Sequence, residues 1–419
     1  MNTPVLNSQA AYEAQAAFVA ELATRLHVYG TSAQRLEGAV EAVAHRLGLD
    51  CEVFSNPTGI ILSFADPVRG QQNGITRVIR LAPGDQNLGR LAATDAIAED
   101  VLAGKLDLES GFAALRALDR PPHRRADVLT ALSFGLSAAA VAGLLSTGWA
   151  DVITSAAIGT LIGVLYVLGA GRPRLAEGLE AIAALIATLL AAAVATFIEP
   201  LSLKTVIVAS LIVLMPGLML TNAVSELSSQ QLVSGTARFA GALMILMKLT
   251  FGTVAAMQVV RLLGWVPQEA VPHPLTWQAE GAALLVGAYA FAVLFRASSR
   301  DYPLVMASVV LGYALTRLGG EVLGLASDNF AGGAFFAGMG VAVVSNAYGR
   351  WFNRPGALIR VPGIILLVPG SVGFRSLNFV MERDVFLGLD TAFALLSALI
   401  ALVAGLLFGN LILPSRRNL

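Results

Sequence analysis

Long apolar runs separated by short polar breaks make up the chain after residue 128. A helix that crosses a membrane needs about 20 predominantly apolar residues, and the run from Ala181 to Phe197 contains no charged residue at all. A soluble helical bundle would keep a polar face on such helices, which these runs lack. The sequence therefore predicts an α-helical integral membrane protein with ten spans, over residues 129–147, 150–170, 178–198, 202–222, 236–262, 277–296, 301–319, 330–347, 357–376 and 389–413.

Residues 1–125 differ from the rest, because charged residues occur there as often as in an ordinary soluble sequence. The spacing of apolar residues predicts helices over 12–29, 32–47, 88–103 and 108–118. β-Branched and aromatic residues between turn signals predict strands over 51–54, 60–64 and 77–81. We therefore expect a small α/β domain at the N-terminus, joined to the first span by a stiff break at Pro121-Pro122.

Arginine and lysine are concentrated in one of the two alternating sets of predicted loops. That set begins on the N-terminal side of the first span and holds Arg120, Arg124, Arg125, Arg172, Arg174, Arg238, Arg296, Arg300, Arg350, Arg354, Arg360, Arg416 and Arg417. The other set holds Lys204, Arg261, Arg317, Arg375 and Arg383. Because loops rich in arginine and lysine stay on the cytoplasmic side, both termini are predicted to be cytosolic, in a bacterial inner membrane.

The net charge and the rarer residue types argue against several classes of function. The formal net charge is zero, which argues against a nucleic-acid partner. The histidines have no metal-ligand spacing, and a phosphate loop ending in Gly-Lys-Ser/Thr is absent. The single cysteine, Cys51, cannot form an intrachain disulfide. The sequence therefore predicts no catalytic residue, no metal and no cofactor.

A short motif occurs twice in the apolar part of the chain. Leu214-Met215-Pro216-Gly217 is followed, after a polar stretch, by Ala237-Arg238-Phe239 and a long apolar run. Leu367-Val368-Pro369-Gly370 precedes Thr391-Ala392-Phe393 and another such run, at an offset of about 150 residues. The chain therefore contains an internal repeat.

Two aspartates agree with this offset, since Asp151 opens one predicted span and Asp301 opens another. The repeat divides the membrane part into a first half, residues 126–265, and a second half, residues 266–419, with five spans each. Because five is odd, the second half enters the membrane from the opposite side. The halves are therefore predicted to be inverted repeats, an arrangement that transporters use for alternating access around a midplane site.

The two Pro-Gly pairs lie inside the fourth and ninth predicted spans. Proline removes a backbone donor and glycine loosens the next turn, so each helix should kink or unwind there. In lipid such a break is tolerated only against protein or a water-filled cavity. We predict a substrate site between the two breaks, with simple packing kinks as the alternative. The candidate contacts are Pro216, Gly217, Asn222, Pro369, Gly370, Ser371 and Arg375.

Charged residues within or beside the spans are candidates for coupling, and these are Glu226, Lys248, Asp151 and Arg238. Lys248 lies inside an apolar run, where a lysine needs a partner or a cavity. Glu226 and Asp151 are both candidate partners for it. Arg375 has two interpretations, since it could bind a substrate carboxylate with two hydrogen bonds or extend to the outer end of the ninth span.

Several segments together are typical of one family of membrane proteins. They are Leu36–Leu49, Asn56-Pro57-Thr58-Gly59-Ile60, Leu214–Glu226, Ala237-Arg238-Phe239, Pro362-Gly363-Ile364, Val368-Pro369-Gly370-Ser371 and Phe374-Arg375-Ser376-Leu377. On these segments the chain resembles the threonine/serine exporter family over nearly its whole length. The resemblance implies proton-coupled efflux of small hydroxy amino acids from the cytosol. In some relatives the two halves are separate polypeptides, and one such pair is associated with export of the dicarboxylate succinate.

Two other functions stay open at this point. A dicarboxylate exporter would need a second cation, for which Lys248 or Arg238 are available. A membrane receptor would use the N-terminal domain to sense a ligand. The expected partners are threonine or serine, protons and membrane lipids, and a homo-oligomer is an open alternative to a single chain.

Overall fold

The computed structural model describes residues 3–66, 70–119, 124–145, 148–270, 275–322 and 331–415. Some predicted features lie outside these residues: Arg120, the Pro121-Pro122 break, the ends of two predicted spans at 146–147 and 330, and the basic tail residues Arg416 and Arg417.

The N-terminal region, residues 3–119, combines helices with a small antiparallel sheet. Its helices are α1 (Thr3–Val28), α2 (Ala33–Arg46), α3 (Leu88–Leu102) and α4 (Leu108–Ala117). Its strands are β1 (Asp50–Asn56), β2 (Gly59–Asp66) and β3 (Gly70–Arg80), which pair in the order β1-β2-β3. The predicted small sheet near the N-terminus is therefore confirmed.

Two predicted elements in this region, helix α1 and strand β3, are longer in the structure than the sequence predicted. Helix α1 begins at Thr3 and not at residue 12. Pro4 lies in its first turn, where proline is tolerated, and the helix formers Gln9, Ala10 and Ala11 lead into the predicted part. Strand β3 begins at Gly70 and not at residue 77, because it pairs with β2 along most of its length.

In the described residues from 124 onward, twelve further helices follow, with two short 3₁₀ turns and one π turn between them. They are α5 (Arg124–Leu144), α6 (Trp149–Gly169), α7 (Pro173–Phe197), α8 (Leu203–Leu211), α9 (Gly217–Ser228), α10 (Leu232–Leu262), α11 (Trp277–Leu294), α12 (Tyr302–Arg317), α13 (Ala331–Phe352), α14 (Ala357–Ile364), α15 (Gly370–Met381) and α16 (Val385–Ile412).

Within the described residues, 7 helices are long and apolar enough to cross a membrane, or up to 8 if a bent helix pair counts as one span. The seven are α5, α6, α7, α10, α11, α16 and the helix around α12, Ser299–Gly320. The predicted stretches 330–347 and 357–376 are helical but do not belong to this set. The first is rich in glycine, and the second is divided into the short helices α14 and α15. The chain is thus a membrane protein with several apolar helices, and the count of ten stays a prediction.

The backbone repeats one plan in the two parts of the membrane region, at an offset of 153 residues. Pro216 has φ −81° and ψ 41°, and Pro369 has φ −83° and ψ 41°. The helix after each proline is 12 residues long. Two residues after the end of each helix the backbone is left-handed, at Gln230 with φ 66° and at Arg383 with φ 70°. The same turns therefore occur at equivalent positions in both halves.

Equivalent helices also pack on equivalent neighbours. Helix α7 packs on α10, as α13 packs on α16, and α9 packs on α10, as α15 packs on α16. Helix α8 contacts α6 and α7, as α14 contacts α12 and α13. The internal repeat is therefore visible in both backbone and packing, while the inverted orientation of the halves in a membrane stays a prediction.

The N-terminal region packs directly on the second half. The buried face of β2 carries Ile60, Leu62 and Phe64, and one hydrophobic core joins these residues to Phe291 and Phe295 at the end of α11. Two backbone hydrogen bonds reinforce this contact, from Leu88 N to Phe295 O at 2.9 Å and from Gly89 N to Arg296 O at 3.1 Å. The start of α3 is thereby fixed against the end of α11.

Candidate functional site

Each Pro-Gly pair interrupts a helix, as the chemistry of proline predicts. The segment Leu203–Leu214 and helix α9 meet at an angle of 60°. At both breaks the chain makes the same tight turn: Gly217 N donates to Met215 O, and Gly370 N donates to Val368 O, each at 2.9 Å. The first turn of each following helix is therefore left with amide groups that lack a partner.

The two breaks contact each other at the centre of the membrane part. A Cβ atom placed on Gly217 would lie 2.3 Å from Val368 Cγ1, and one placed on Gly370 would lie 3.0 Å from the Gly217 Cα and N atoms. Only glycine allows this close approach of two backbones. The glycines predicted from the motif thus have a direct structural role.

A cavity of about 520 Å³ opens beside this contact. Pro216, Gly217, Gly370 and Ser371 line it, so four of the predicted site residues are brought together. The other lining residues are mainly apolar and come from helices of both halves and from the loop before α3. Their polar side chains are those of Asp85, Gln86, Thr130, Tyr166, Arg296 and Tyr313. Largely apolar walls with a few polar groups are typical of a small-molecule site.

Backbone amide and carbonyl groups at the two breaks are available for hydrogen bonds with a ligand in the cavity. Among the described residues, the amides of Leu218, Met219 and Ser371 have no hydrogen-bond acceptor, and all three residues line the cavity. These amides belong to the first turns of α9 and α15, where the helix dipole is positive and favours an anion. On the other side of the breaks, the carbonyls of Leu214 and Leu366 accept no hydrogen bond from described residues. The cavity therefore offers donors and acceptors to one ligand.

Three predicted site residues do not line this cavity. Pro369 is buried at the break itself and does not reach the cavity wall, whereas Asn222 is half-buried on α9. Arg375 is exposed on α15 and forms no hydrogen bond or ion pair with described residues. The predicted contacts of Asn222 and Arg375 with the site came from their nearness in sequence to the breaks. Asn222 lies three residues and Arg375 four residues beyond the last cavity-lining residue of its helix, which is about one helical turn.

The sequence did not predict most of the cavity lining, and the unpredicted residues include two charged side chains and a tyrosine. Asp85 lies in the loop between β3 and α3, Tyr166 lies on α6, and Arg296 follows α11. The arginine was identified from the sequence only as a member of the arginine-rich set of loops. Nothing in the local sequence marks these positions, because tertiary packing of three separate segments brings them to one cavity.

Glu226 is the centre of a buried polar network. Its side chain is 1% exposed. Arg238 Nε lies 3.0 Å from each of its two carboxylate oxygens and donates to both, and Ser234 Oγ donates to Oε2 at 2.7 Å. Glu226 also accepts the backbone amide of Ala33, at the start of α2, at 3.0 Å. Glu226 therefore connects the first half to the N-terminal region and leaves Arg238 neutralised.

Lys248 pairs with neither predicted partner. Its ammonium group donates to the carbonyl of Glu177 at 2.8 Å and lies 3.4 Å from the carboxylate of Glu180. Both partners lie on α7, which packs against α10. The expectation of a Glu226 or Asp151 partner is corrected, because α10 turns the lysine toward α7.

Asp151 and Asp301 are both buried near the start of a helix but differ in their partners. Asp301 forms two hydrogen bonds with Arg354, at 2.7 and 2.9 Å. Asp151 Oδ1 accepts the amide of Ser202 at 2.9 Å, and its Oδ2 atom has no hydrogen-bond partner among the described residues. Asp151 thus keeps a buried carboxylate oxygen that no group in the described structure satisfies.

Mostly apolar helices, repeated in two halves around a central cavity at paired helix breaks, define a multi-spanning membrane protein with a small-molecule pathway. Comparison with known families assigns it further. A family model described as "Putative threonine/serine exporter" matches residues 17–260, and a second, described as a threonine/serine exporter, matches residues 280–412. The chain belongs to the threonine/serine exporter family, as the sequence resemblance predicted.

Fungal membrane proteins are among the curated relatives of the chain. An uncharacterized protein of Schizosaccharomyces pombe is 24% identical over 91% of this chain and 45% of its own length. Pheromone-regulated membrane protein 10 is 23% identical in Debaryomyces hansenii and 24% in Yarrowia lipolytica, over 86% and 85% of this chain and 36% and 30% of those proteins. The chain thus spans less than half the length of these relatives. No solved structure matches it.

Proposed function

We propose that the protein exports threonine and serine by alternating access around the cavity at the two helix breaks. The observation that carries this proposal is the contact between Gly217 and Gly370, with the first turns of α9 and α15 and a 520 Å³ cavity on its border. Because one break comes from each half, a movement of one half against the other changes the cavity directly. This is the geometry that alternating access requires.

The chemistry of the breaks suits a zwitterionic substrate. The unpaired amides of Leu218, Met219 and Ser371 are placed to bind a carboxylate, and the free carbonyls of Leu214 and Leu366 are placed to bind an ammonium group. A hydroxyl group of threonine or serine can pair with the hydroxyl of Ser371 or Tyr166. Substrate recognition would then rest mainly on backbone groups, with few charged side chains.

Proton coupling is the second part of the proposal, and Asp151 is the residue that we assign to it. One oxygen of its buried carboxylate has no partner among the described residues, so a proton bound there would displace no existing contact, whereas both oxygens of Asp301, near the start of α12, are hydrogen-bonded to Arg354. The Asp151→Asn variant should keep its hydrogen bond to Ser202 but lose the dependence of flux on a pH gradient. An unchanged dependence would remove Asp151 from the mechanism.

The charges in the membrane part argue against the dicarboxylate alternative. Arg238 is neutralised by Glu226 and Lys248 by Glu180, so neither is available as the second cation that a dicarboxylate needs. The receptor alternative is less well supported, because the cavity lies between membrane helices of both halves.

We further propose that both termini are cytosolic, in a bacterial inner membrane, and that the N-terminal domain gates transport without catalysing a reaction. A homo-oligomer remains an alternative to a single working chain.

Flux into proteoliposomes tests the proposal. We expect labelled threonine and serine to be transported, succinate not to be, and Lys248→Met to leave threonine flux intact. Transport of succinate in preference to threonine, with loss of flux in Lys248→Met or Arg238→Met, would support the dicarboxylate exporter instead. No flux of any amino or dicarboxylic acid from correctly folded protein would contradict both.

A further inference from the structure

We propose that Asp85 and Arg296 form an entry subsite that selects zwitterionic amino acids at the end of the cavity next to the N-terminal region. These residues are the charged members of the cavity lining, and they have opposite charges. The inference rests on the proposed function and deepens it, because it names the two charged side chains that select the ammonium and carboxylate groups before the substrate reaches the backbone groups at the breaks. It also makes the N-terminal region part of the substrate pathway.

Both charges are free to bind a ligand. Asp85 and Arg296 are exposed, and neither forms an ion pair or a side-chain hydrogen bond within the part of the chain that the structure describes. An α-amino acid carries one positive and one negative charge on the same carbon atom. A cavity wall with one free carboxylate and one free guanidinium therefore matches it, while a dicarboxylate would be repelled by Asp85.

The loop that carries Asp85 is held firmly in place. A Cβ atom on Gly84 would lie 2.0 Å from the carbonyl oxygen of His27, so the loop lies tightly against the end of α1. On the other side of Asp85, Gln86 Nε2 donates to the carbonyl of Gly30 at 2.7 Å. Residue 85 is therefore fixed between two anchored neighbours, as a preorganised binding group should be.

Arg296 occupies a backbone conformation that is costly for an arginine. It has φ 50°, in the left-handed region where glycine is usual at the end of a helix. Its amide donates to Val293 O at 2.8 Å, and the amide of Ala297 donates to Ala292 O at 3.1 Å, which are the two hydrogen bonds of a Schellman motif. An arginine in place of glycine there suggests that its side chain is needed for another purpose.

The second half supplies a matched control for this position. Arg383 ends α15 in the same motif, with φ 70° and hydrogen bonds from Arg383 N to Val380 O at 3.1 Å and from Asp384 N to Phe379 O at 2.9 Å. It is also an exposed arginine, but it does not line the cavity. Replacement by glycine should relieve the backbone strain at both sites and should affect substrate recognition only at residue 296.

The experiment measures initial rates of threonine uptake into proteoliposomes in which the N-terminal region faces outward. Arg296→Gly should raise the KM for threonine by about tenfold or more, as expected for a lost hydrogen-bonded charge pair, with the maximal rate nearly unchanged. Arg383→Gly should leave the KM unchanged. Both variants should have a Tm equal to or above that of the unaltered protein, so misfolding cannot explain the difference.

Asp85→Asn should raise the KM to a similar extent, and Asp50→Asn, at an exposed aspartate remote from the cavity, should not. Competition by two analogues separates the two charges. Asp85→Asn should lose the preference for threonine over N-acetylthreonine, and Arg296→Gly should lose the preference over threonine methyl ester.

The outcomes separate this inference from the proposed function. If the unaltered protein transports threonine but Asp85→Asn and Arg296→Gly behave like their controls, the entry subsite is wrong and the export proposal stands. If these variants change the maximal rate alone, the residues act on gating and not on recognition, which also overturns the subsite. If the unaltered protein transports no amino acid, both proposals fall.

Discussion

The two halves of the membrane part have nearly the same backbone around their Pro-Gly breaks but satisfy their buried charges differently. In the first half, Glu226 pairs with Arg238 and also binds the start of α2 in the N-terminal region. The positions 153 residues further on are Phe379 and Thr391, so the second half has no such network there. The repeated fold therefore depends on proline, glycine and small side chains, while charges give each half its own role.

The aspartates near the helix starts differ in the same way. Asp301 is fully paired with Arg354, whereas Asp151 keeps one oxygen without a partner among the described residues. A carboxylate whose two oxygens both bind an arginine stabilises the fold, and one with an unsatisfied oxygen contributes less. The two halves therefore place an aspartate near the start of a helix but give it different surroundings: Asp301 has an arginine partner, and Asp151 has a backbone amide on one oxygen only.

The largest expected effect comes from removing the charge of Glu226. Glu226→Gln leaves Arg238 buried without its counterion, which should cost about 3–5 kcal/mol of unfolding free energy. Glu382→Gln is the matched control, since Glu382 and its partner Lys204 are both about half exposed and the pair should contribute about 0–1 kcal/mol. Unfolding in mixed detergent–SDS micelles measures both. Equal losses of unfolding free energy in the two variants would contradict the claim that the Glu226–Arg238 pair stabilises the first half.

A medium effect should distinguish the two aspartates. Asp301→Asn keeps one oxygen acceptor for Arg354 but loses the carboxylate charge and the second hydrogen bond, and we expect a loss of about 1.5–3 kcal/mol. Asp151→Asn keeps the acceptor for Ser202 and should cost much less in the same unfolding assay. If Asp151→Asn destabilises the protein as strongly as Asp301→Asn, its carboxylate has a structural partner and our interpretation of it is wrong.

The smallest expected effect compares the two glycines at the breaks. Gly217→Ala should cost about 1–3 kcal/mol through its clash with Val368, and the second substitution Val368→Ala should restore much of the loss by removing the clashing methyl groups. Gly370→Ala clashes with the backbone of Gly217, so Val368→Ala should not rescue it. Gly281→Ala, where a Cβ atom meets nothing within 4 Å, is the control. Rescue of both variants would show that the two breaks do not cross as described.

The parts of the fold that depend on local chemistry could be predicted from the sequence. The Pro-Gly breaks, the small sheet and most helices follow from residue types at fixed spacing, because proline and glycine act on the backbone within one or two turns. The repeat was visible for the same reason, since it is carried by these residues.

The parts that depend on packing between distant segments could not be predicted. The partners of Lys248 lie on α7, and its pairing requires knowing that α7 packs on α10. Asp85 reaches the cavity only because the start of α3 is hydrogen-bonded to the end of α11. Arg375 was chosen for its charge beside a break, yet its helix carries it past the cavity.

Cysteine labelling with and without substrate tests the central claim most directly, namely that the substrate occupies the cavity at the two breaks. Burial, and then the carboxylates of Glu41, Asp50 and Glu52, raise the pKa of the Cys51 thiol to about 12, and Cys51→Ser removes the single native cysteine. In that background we compare Ser371→Cys, at the cavity wall, with Ser228→Cys, at the exposed end of α9.

The account predicts that threonine slows modification of the Ser371→Cys variant by a thiol reagent, that succinate does not, and that neither alters the rate for Ser228→Cys. Equal modification rates for Ser371→Cys with and without threonine, in protein that still transports threonine, would place the substrate elsewhere and contradict the account.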